Sequence, residues 1–362
     1  MLVSPYPWFG GKRRVADLVW SAFGTVDNYV EPFFGSGAVL LARPDFDQAA
    51  NQTETVNDAD GFVSNFWRAL KADPEAVAWW ADYPVSETDL HARHGWLVNR
   101  RARLTWSLED PEFFDAKVAG WWVWGIAAWI GSGWCSGKGP WLSNGAHITN
   151  GGDAGRGIKR QRPHLSDAGQ GINRTRPHLS DAGQGINRQL PHLGDAVQGI
   201  NRQLPHLGNA GQGERLSAYL GALSERMRRV RIACGDWSRV MGECVTVRHG
   251  TTAVFLDPPY STEAGRKEDL YAVDCGTVAH DVREWCLANG NNQELRIVLC
   301  GYDGEHDLPG WRCEEGQAGG GVGFGGQGNG RGRDNAKRER LWLSHGCIST
   351  NRPRQDAFCF AG

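Results

Sequence analysis

The stretch VDNYVEPFFGSGAVLLARP, residues 26–44, is apolar and β-prone up to Val30. It then turns through Glu31, Pro32 and a pair of glycines into a short helical pattern. A second strand, ETVNDAD at 54–60, ends in acids, and GFVSNFWRALKAD at 61–73 takes up a helical period. Strand, glycine turn, helix and strand make a βαβ unit. The same pattern returns near residue 214. ERLSAYLGALSERMRRV at 214–230 reads as a helix with a basic end. RIACGDW (231–237), TTAVFLDPPY (251–260) and LRIVLCGYD (295–303) are apolar runs that each end in a polar or glycine turn. Parallel strands of a doubly wound sheet have this form. DCGTVAHDVREWCLANG (274–290) reads as a helix between two of them, and RERLWLSHG (338–346) as a late strand, one arm of a closing hairpin.

Between these two parts the chain changes character. AVAWWADYP, WLVNRRARLTW and AKVAGWWVWGIAAWI, within residues 76–130, predict Trp-rich helices. A helical core accounts for the tryptophans; a base-stacking platform is the alternative. Arg93, His94, Arg100, Arg101 and Arg103 form a basic cluster, and such runs are usually open to solvent. Residues 157–212 hold four 14-residue repeats, each with glycine, a central proline and few large apolar groups. Such units bury little surface, which predicts turns and extended loop. They carry seven basic residues, Lys159 and six arginines, against Asp167, Asp181 and Asp195. Histidines 164, 178, 192 and 206 recur with the period, but repeat copying alone spaces them so, and no metal is expected. Residues 315–334 are glycine-rich and predict a loop.

Composition narrows the function. At roughly 100–200 residues per domain, 362 residues suggest two or three domains and a sizeable core. A net charge of −2 argues against nucleic-acid binding by bulk charge, so a polyanion must be met by local basic patches. Nine cysteines with no CxxC spacing argue against a disulfide framework or a zinc ribbon and for a reducing compartment. The opening MLVSPYPWFG lacks the form of a secretory signal. The most apolar run, WWVWGIAAWI at 121–130, is too short to span a bilayer.

The chemistry concentrates at strand ends. DPPY at 257–260 follows directly on the strand TTAVFL, where an open α/β sheet is expected to have a ligand crevice. Asp257 offers acceptors. Pro258 and Pro259 remove backbone donors and stiffen the turn. Tyr260 offers an aromatic face. Acceptors beside a π-face suit an exocyclic amino group on a planar base; a tight turn is the plain alternative. In FFGSG at 33–37 the glycines let the backbone approach a ligand. No GxxxxGK[ST] is present, so this is not a P-loop. Asp58 closes the next strand about twenty residues on, the distance at which an acid meets ribose hydroxyls in nucleotide-binding α/β folds. A helix N-cap is its other role.

Together these residues resemble the Dam-like family (D12 class, alpha group) of DNA adenine-N6 methyltransferases. PWFGGKRR (7–14), YVEPFFGSGAVLL (29–41), NDAD (57–60), CGDW (234–237) and DPPY (257–260) look like its motifs, in the family's order. The resemblance covers about 1–70 and 215–350. It implies a Rossmann-like, doubly wound α/β sheet that uses S-adenosylmethionine, formed by 1–70 and 215–362. It also implies an inserted, mainly helical target-recognition domain at 71–214. The repeats and the glycine-rich loop depart from the family. Trp8 and Lys12 are then expected at the methionine part of the cofactor, with Phe34, Gly35 and Gly37 on the floor. Asp58 is expected at the ribose, and Asp236 with Trp237 at the adenine. Asp257 and the Pro258 carbonyl would accept from the target amino group, with Pro259 stiffening the turn and Tyr260 stacking on the base. Asp257 also borders the cofactor.

The implied reaction is methyl transfer to adenine N6 in double-stranded DNA, by direct in-line attack after base flipping. Cytosine-N4 methylation and a catalytically inactive DNA-binding module are the alternatives. The resemblance further implies a monomer acting in the cytoplasm, bacterial or phage-encoded, with any restriction endonuclease encoded separately.

Overall fold

The computed structural model describes residues 2–8, 11–44, 46, 51–129, 134–136, 141–143, 148–150, 213–261, 277–316 and 338–348. The repeats at 157–212, all but the first two residues of the glycine-rich 315–334 stretch, and residues 9 and 10 of PWFGGKRR lie outside these.

Strand β1 (Asn28–Glu31) is buried along its whole length. It pairs in parallel with β2 (Thr53–Asp58) on one side and with β6 (Thr252–Leu256) on the other. Beyond β2 lies β5 (Arg231–Cys234), also parallel. Beyond β6 lies β7 (Leu295–Tyr302), parallel again. Then β9 (Glu339–Leu343) runs antiparallel to β7, with β8 (Arg312–Glu315) antiparallel at the edge. The order of this seven-stranded sheet is β5-β2-β1-β6-β7-β9-β8. Strands β3 (Trp141–Ser143) and β4 (Ile148–Asn150) form a separate hairpin. The mostly parallel seven-stranded sheet fits the α/β expectation for a Rossmann-like methyltransferase, and β9 joins β8 in the late hairpin.

Chain order reverses between β1 and β6. Connections leave this point in opposite directions, so the C-terminal strand ends part and leave a crevice. Glu31 and Asp257 stand on its two sides.

Period-two alternation gives the sheet two buried faces. Ala253, Phe255, Val298 and Cys300 face one apolar cluster; Val254, Leu256, Ile297 and Leu299 face the other. The first face is covered by α1 (Ala16–Phe23), α2 (Ala38–Leu41), α3 (Gly61–Ala72), α4 (Pro74–Ala81), α7 (Ala116–Ala128) and α8 (Gly213–Met227). The second is covered by α9 (Val278–Asn289) and a 3₁₀ turn, Trp237–Val240. Helices α5 (Glu87–Val98) and α6 (Arg101–Ser107) complete the set of described helices. Asp60, Asp73, Ser86 and Asp115 cap α3, α4, α5 and α7, each accepting from a first-turn N–H. Among the described residues no helix is long and apolar enough to cross a membrane.

The Trp-rich helices pack directly on α3 and α8, in one apolar cluster with the sheet. Trp122, Trp124 and Trp129 are buried, whereas Trp79 and Trp106 are 70% and 71% exposed. The basic cluster is not an open face. Arg93 and His94 share the inward side of α5 with Leu90 and Leu97, as helical spacing requires. The Arg93 guanidinium lies 4.2 Å from the Trp124 ring centre and 4.3 Å from that of Tyr83. Aromatic faces replace water around this cation. Arg100 stacks on Trp96, Arg101 pairs with Asp60 at 2.8 Å, and Arg103 remains exposed.

A buried carboxylate fixes α8 to the sheet. Glu54 of β2 meets Arg43 at 3.2 Å and Arg226 of α8 at 2.6 Å. Two guanidiniums on one carboxylate leave neither the acid nor α8 free to shift, because a buried charge without its partner is costly.

Candidate active site

The turn after β1 needs glycine at two places. Gly35 has φ +48° and Gly37 φ +68°, the left-handed region that side chains rarely adopt. A Cβ on Gly35 would lie 2.5 Å from Nε1 of Trp8, and one on Gly37 would lie 2.8 Å from Cζ of Phe34. The indole of Trp8 therefore lies against bare backbone. Gly35 is held from three sides. Its carbonyl accepts from the Tyr6 hydroxyl at 2.7 Å and from Trp67 Nε1 at 3.0 Å, and its N–H donates to Oδ2 of Asp58 at 2.8 Å.

Asp58 ends β2. Its Oδ1 accepts from the Asp60 N–H at 2.8 Å, so each carboxylate oxygen receives one backbone donor. The N-cap of α3 is Asp60, not Asp58. Burial pushes the Asp58 carboxyl up to about 7, against the opposing pull of those two N–H groups. The native chain thus keeps this proton to higher pH than the unfolded chain does. Stability from this group falls as pH rises from about 4 to about 7. Asp58→Asn removes the titration. Its melting temperature is expected to fall less between about pH 5 and pH 8 than that of the unsubstituted protein. Thermal melting of both across that range checks this; parallel curves would contradict it.

The end of β5 joins the same rim. The Gly235 N–H donates to the Asp58 carbonyl at 3.1 Å. Asn57 Nδ2 bridges the carbonyls of Pro32 and Gly235 at 3.1 and 3.0 Å. Asp236 is exposed, and its Oδ1 accepts from the Ser238 N–H at 3.0 Å, capping the short 3₁₀ turn. Trp237, in that turn, stacks with Phe33 at 6.1 Å between centroids and 25° between planes.

Across the crevice, at the end of β6, three polar groups meet. Lys12 comes from a 3₁₀ turn, Lys12–Arg14, and its side chain is only 5% exposed. Its Nζ lies 3.0 Å from Oδ1 of Asp257 and 3.8 Å from Oε1 of Glu339. The Tyr260 hydroxyl donates to the same Oδ1 of Asp257 at 3.3 Å, and Lys12 Nζ lies 5.3 Å from the Tyr260 ring centre. Tyr260 packs edge-on against Tyr302 at 4.6 Å. Burial disfavours the Lys12 ammonium, but Asp257 and then Glu339 outweigh it and raise the pKa above the ordinary lysine value. Burial also lifts Asp257 above the usual carboxylate range, with Lys12 opposing.

Two groups are thus brought together: Trp8, Phe34, Gly35, Gly37 and Asp58, and Lys12, Asp257 and Tyr260. Pro258 and Pro259 form the link between Asp257 and Tyr260, Pro258 being buried. Asp236 and Trp237 lie on the Asp58 side but make no hydrogen bond to Asp58 among those described. Lys12, expected beside the cofactor's methionine, stands on Asp257.

Sequence reasoning passed over Tyr6, Glu31, Trp67 and Glu339. Glu31 is buried at the end of β1, accepts from the Tyr29 hydroxyl at 2.8 Å, and is raised by burial. An acid directly after the apolar pair Tyr29 and Val30, at a strand's end, was a readable signal; the other three are brought in only by tertiary packing.

Residues 8–104 match the model of the D12 class N6 adenine-specific DNA methyltransferases. The match marks the chain as an adenine-specific DNA methyltransferase. No curated protein matches it. The matched segment of this methyltransferase holds Trp8, Lys12, the glycine turn and Asp58. Asp236, Trp237 and Asp257–Tyr260 lie beyond it and join the site through the sheet. Among its described residues, no group of three His, Cys, Asp or Glu side chains could hold a metal ion. A separate concavity, lined by Phe46, Glu225, Arg228 and Arg229, shares no residue with this site.

Proposed function

We propose that the methyltransferase moves a methyl group from S-adenosylmethionine to N6 of an adenine turned out of double-stranded DNA. One observation carries this reading: Asp257, Lys12 and Tyr260 meet at the end of β6, across the strand-order reversal from the glycine turn that Asp58 holds.

The residues present fit the cofactor. Without a Cβ, Gly35 and Gly37 let Trp8 and Phe34 close directly onto the turn, so that two rings and bare backbone form one floor. Each Asp58 oxygen takes one backbone donor and keeps a second lone pair, enough to accept from ribose hydroxyls. The Phe33–Trp237 pair offers an aromatic wall on the same side. In this reading Trp8, Phe34, Gly35, Gly37, Asp58, Asp236 and Trp237 hold the cofactor, with Lys12 and Asp257 at its reactive end. When bound, S-adenosylmethionine supplies a methyl group on an electron-poor sulfur.

The protein's own task is to make N6 nucleophilic. The lone pair of that nitrogen is delocalised into the ring. Asp257 and the Pro258 carbonyl, accepting its two protons, favour a nitrogen with more localised electrons. As the nitrogen–carbon bond forms and the carbon–sulfur bond breaks, N6 must lose one proton. Asp257, 20% exposed, is the carboxylate in reach and opens towards water. Holding N6 in line at near-attack distance supplies much of the acceleration. Turning the base out costs a few kcal/mol, and stacking on Tyr260 offsets part of it.

Residues 1–70 and 215–362 form the catalytic unit in this proposal, with 71–214 choosing the target. The enzyme acts as a monomer, and any restriction endonuclease is encoded separately. Mass spectrometry of nucleosides from DNA of expressing cells tests the reaction. N6-methyladenine is expected. N4-methylcytosine without it, or no methylated nucleoside, overturns the proposal.

A further inference from the structure

We propose that Glu339 is a positioning residue for Lys12, receiving the ammonium when the target amino group takes up Asp257. The inference rests on the methyl-transfer reading above and goes beyond it, since Glu339 lies outside every motif that suggested it.

The observation is a cation between two carboxylates. Lys12 Nζ is 3.0 Å from Asp257 and 3.8 Å from Glu339, with side-chain exposures of 5%, 20% and 19%. The two acids reach it from opposite sides of β7. Asp257 follows β6, one neighbour of β7; Glu339 opens β9, the other, opposite Tyr302. Other charged or titratable groups that face this cluster are Tyr260 after β6, Cys300 and Tyr302 on β7, Glu305 in the turn beyond, Arg338 before β9, and Glu31 at the end of β1.

Asp257 has two demands on it. Its Oδ1 already accepts from both Lys12 and Tyr260. A carboxylate neutralised by an ammonium at 3.0 Å is a weak acceptor for an amino proton. Yet Lys12 cannot simply leave, because a buried ammonium without a counter-charge is strongly disfavoured. Glu339 resolves this. Less than 1 Å separates the two ion-pair distances, and a lysine side chain has several rotatable bonds to cover it. Passing the ammonium to Glu339 frees the Asp257 charge without leaving any cation unpaired. Burial, opposed by Lys12, holds Glu339 above the usual carboxylate range, which marks it as desolvated and strongly coupled to that cation.

Glu339→Gln is the test, with Glu339→Asp as the conservative partner. In the Gln variant Lys12 stays on Asp257. The expected kcat is about tenfold lower, below the 10²–10⁴ of a direct proton-transfer group. KM for S-adenosylmethionine stays within about twofold, since the residue is not at the cofactor floor. The acid limb of the kcat profile moves to lower pH, because an aspartate paired with an undivided ammonium keeps its charge further into acid. Glu339→Asp restores part of kcat and moves the limb back. Wild-type kcat with an unshifted limb overturns the proposal. So does lost activity with a lowered melting temperature and an unshifted limb, the mark of a merely structural residue. Wild-type enzyme and Asp257→Asn are assayed alongside. If the first makes no N6-methyladenine, or the second still makes it, the methyl-transfer reading itself has failed. An active wild type, a dead Asp257→Asn and an indifferent Glu339→Gln defeat only the role of Glu339.

Discussion

Asp257→Ala is expected to abolish methyl transfer while leaving DNA affinity largely intact. The loss in kcat is about 10³-fold or more, or ~4 kcal/mol of transition-state stabilisation. The size follows from position. Asp257 is the acid at the end of β6 on which both Lys12 and the Tyr260 hydroxyl converge. It is partly open, so a base can reach it, yet desolvated enough for its charge to be felt strongly. Affinity in protein–DNA complexes rests largely on phosphate contacts rather than on a carboxylate, so it should change little. Alanine also takes the nearer of two acids from Lys12, leaving Glu339 at 3.8 Å, which costs some stability. Asp257→Asn keeps the shape and guards against that ambiguity. A transfer assay at saturating cofactor, run beside anisotropy titration with labelled duplex, separates the two quantities. An alanine variant within tenfold of wild-type turnover would remove Asp257 from the mechanism.

The second large effect is expected at Gly35. An alanine there must hold φ near +48° and place its methyl 2.5 Å from one atom of the Trp8 indole and 2.6 Å from another. The backbone conformation alone costs roughly 1–2 kcal/mol for an L-residue. The indole can yield only by moving away from the loop. Any such movement also disturbs the bonds from Gly35 to Asp58, Tyr6 and Trp67. Gly35→Ala should therefore weaken S-adenosylmethionine binding at least about tenfold and lower the melting temperature by several degrees. Gly221→Ala is the control. It lies within α8, where an added Cβ meets nothing within 4 Å, so the variant should be slightly more stable and bind cofactor normally. Calorimetric titration and thermal melting of the pair decide it. Equal cofactor affinity in both variants would show that the glycine turn does not floor the cofactor.

Most of the sheet was legible because its signals are local. Tyr29 and Val30 announce a buried strand, Gly35 and Gly37 the turn, and Asp58 the next strand end. The DPPY turn stood out because it follows four apolar residues, Ala253 to Leu256, without interruption. What stayed hidden depends on contacts between distant segments. Lys12 reads as one of three basic residues in a row, and nothing local says that it alone is buried between two acids. Glu339 sits in RERLWLSHG among alternating charges, where an acid at a strand's start usually faces water. Its value comes only from β9 lying antiparallel beside β7. Arg93 is the converse. Its neighbours suggested an exposed basic face, but helical phase and the rings of Tyr83, Trp121 and Trp124 draw it inside.

The separation of Lys12 from Asp257 and Glu339 along the chain also governs when the enzyme can become active. A ribosome that has released the first hundred residues has delivered the glycine turn and Asp58. The ion pair must wait for β6, and its second acid for β9, so a nascent polypeptide reaches a complete Lys12 cluster only once Glu339 has been made. Contacts spanning so much sequence are slow to form, because the long loops between their partners must be closed first, and this corner of the site depends on two of them.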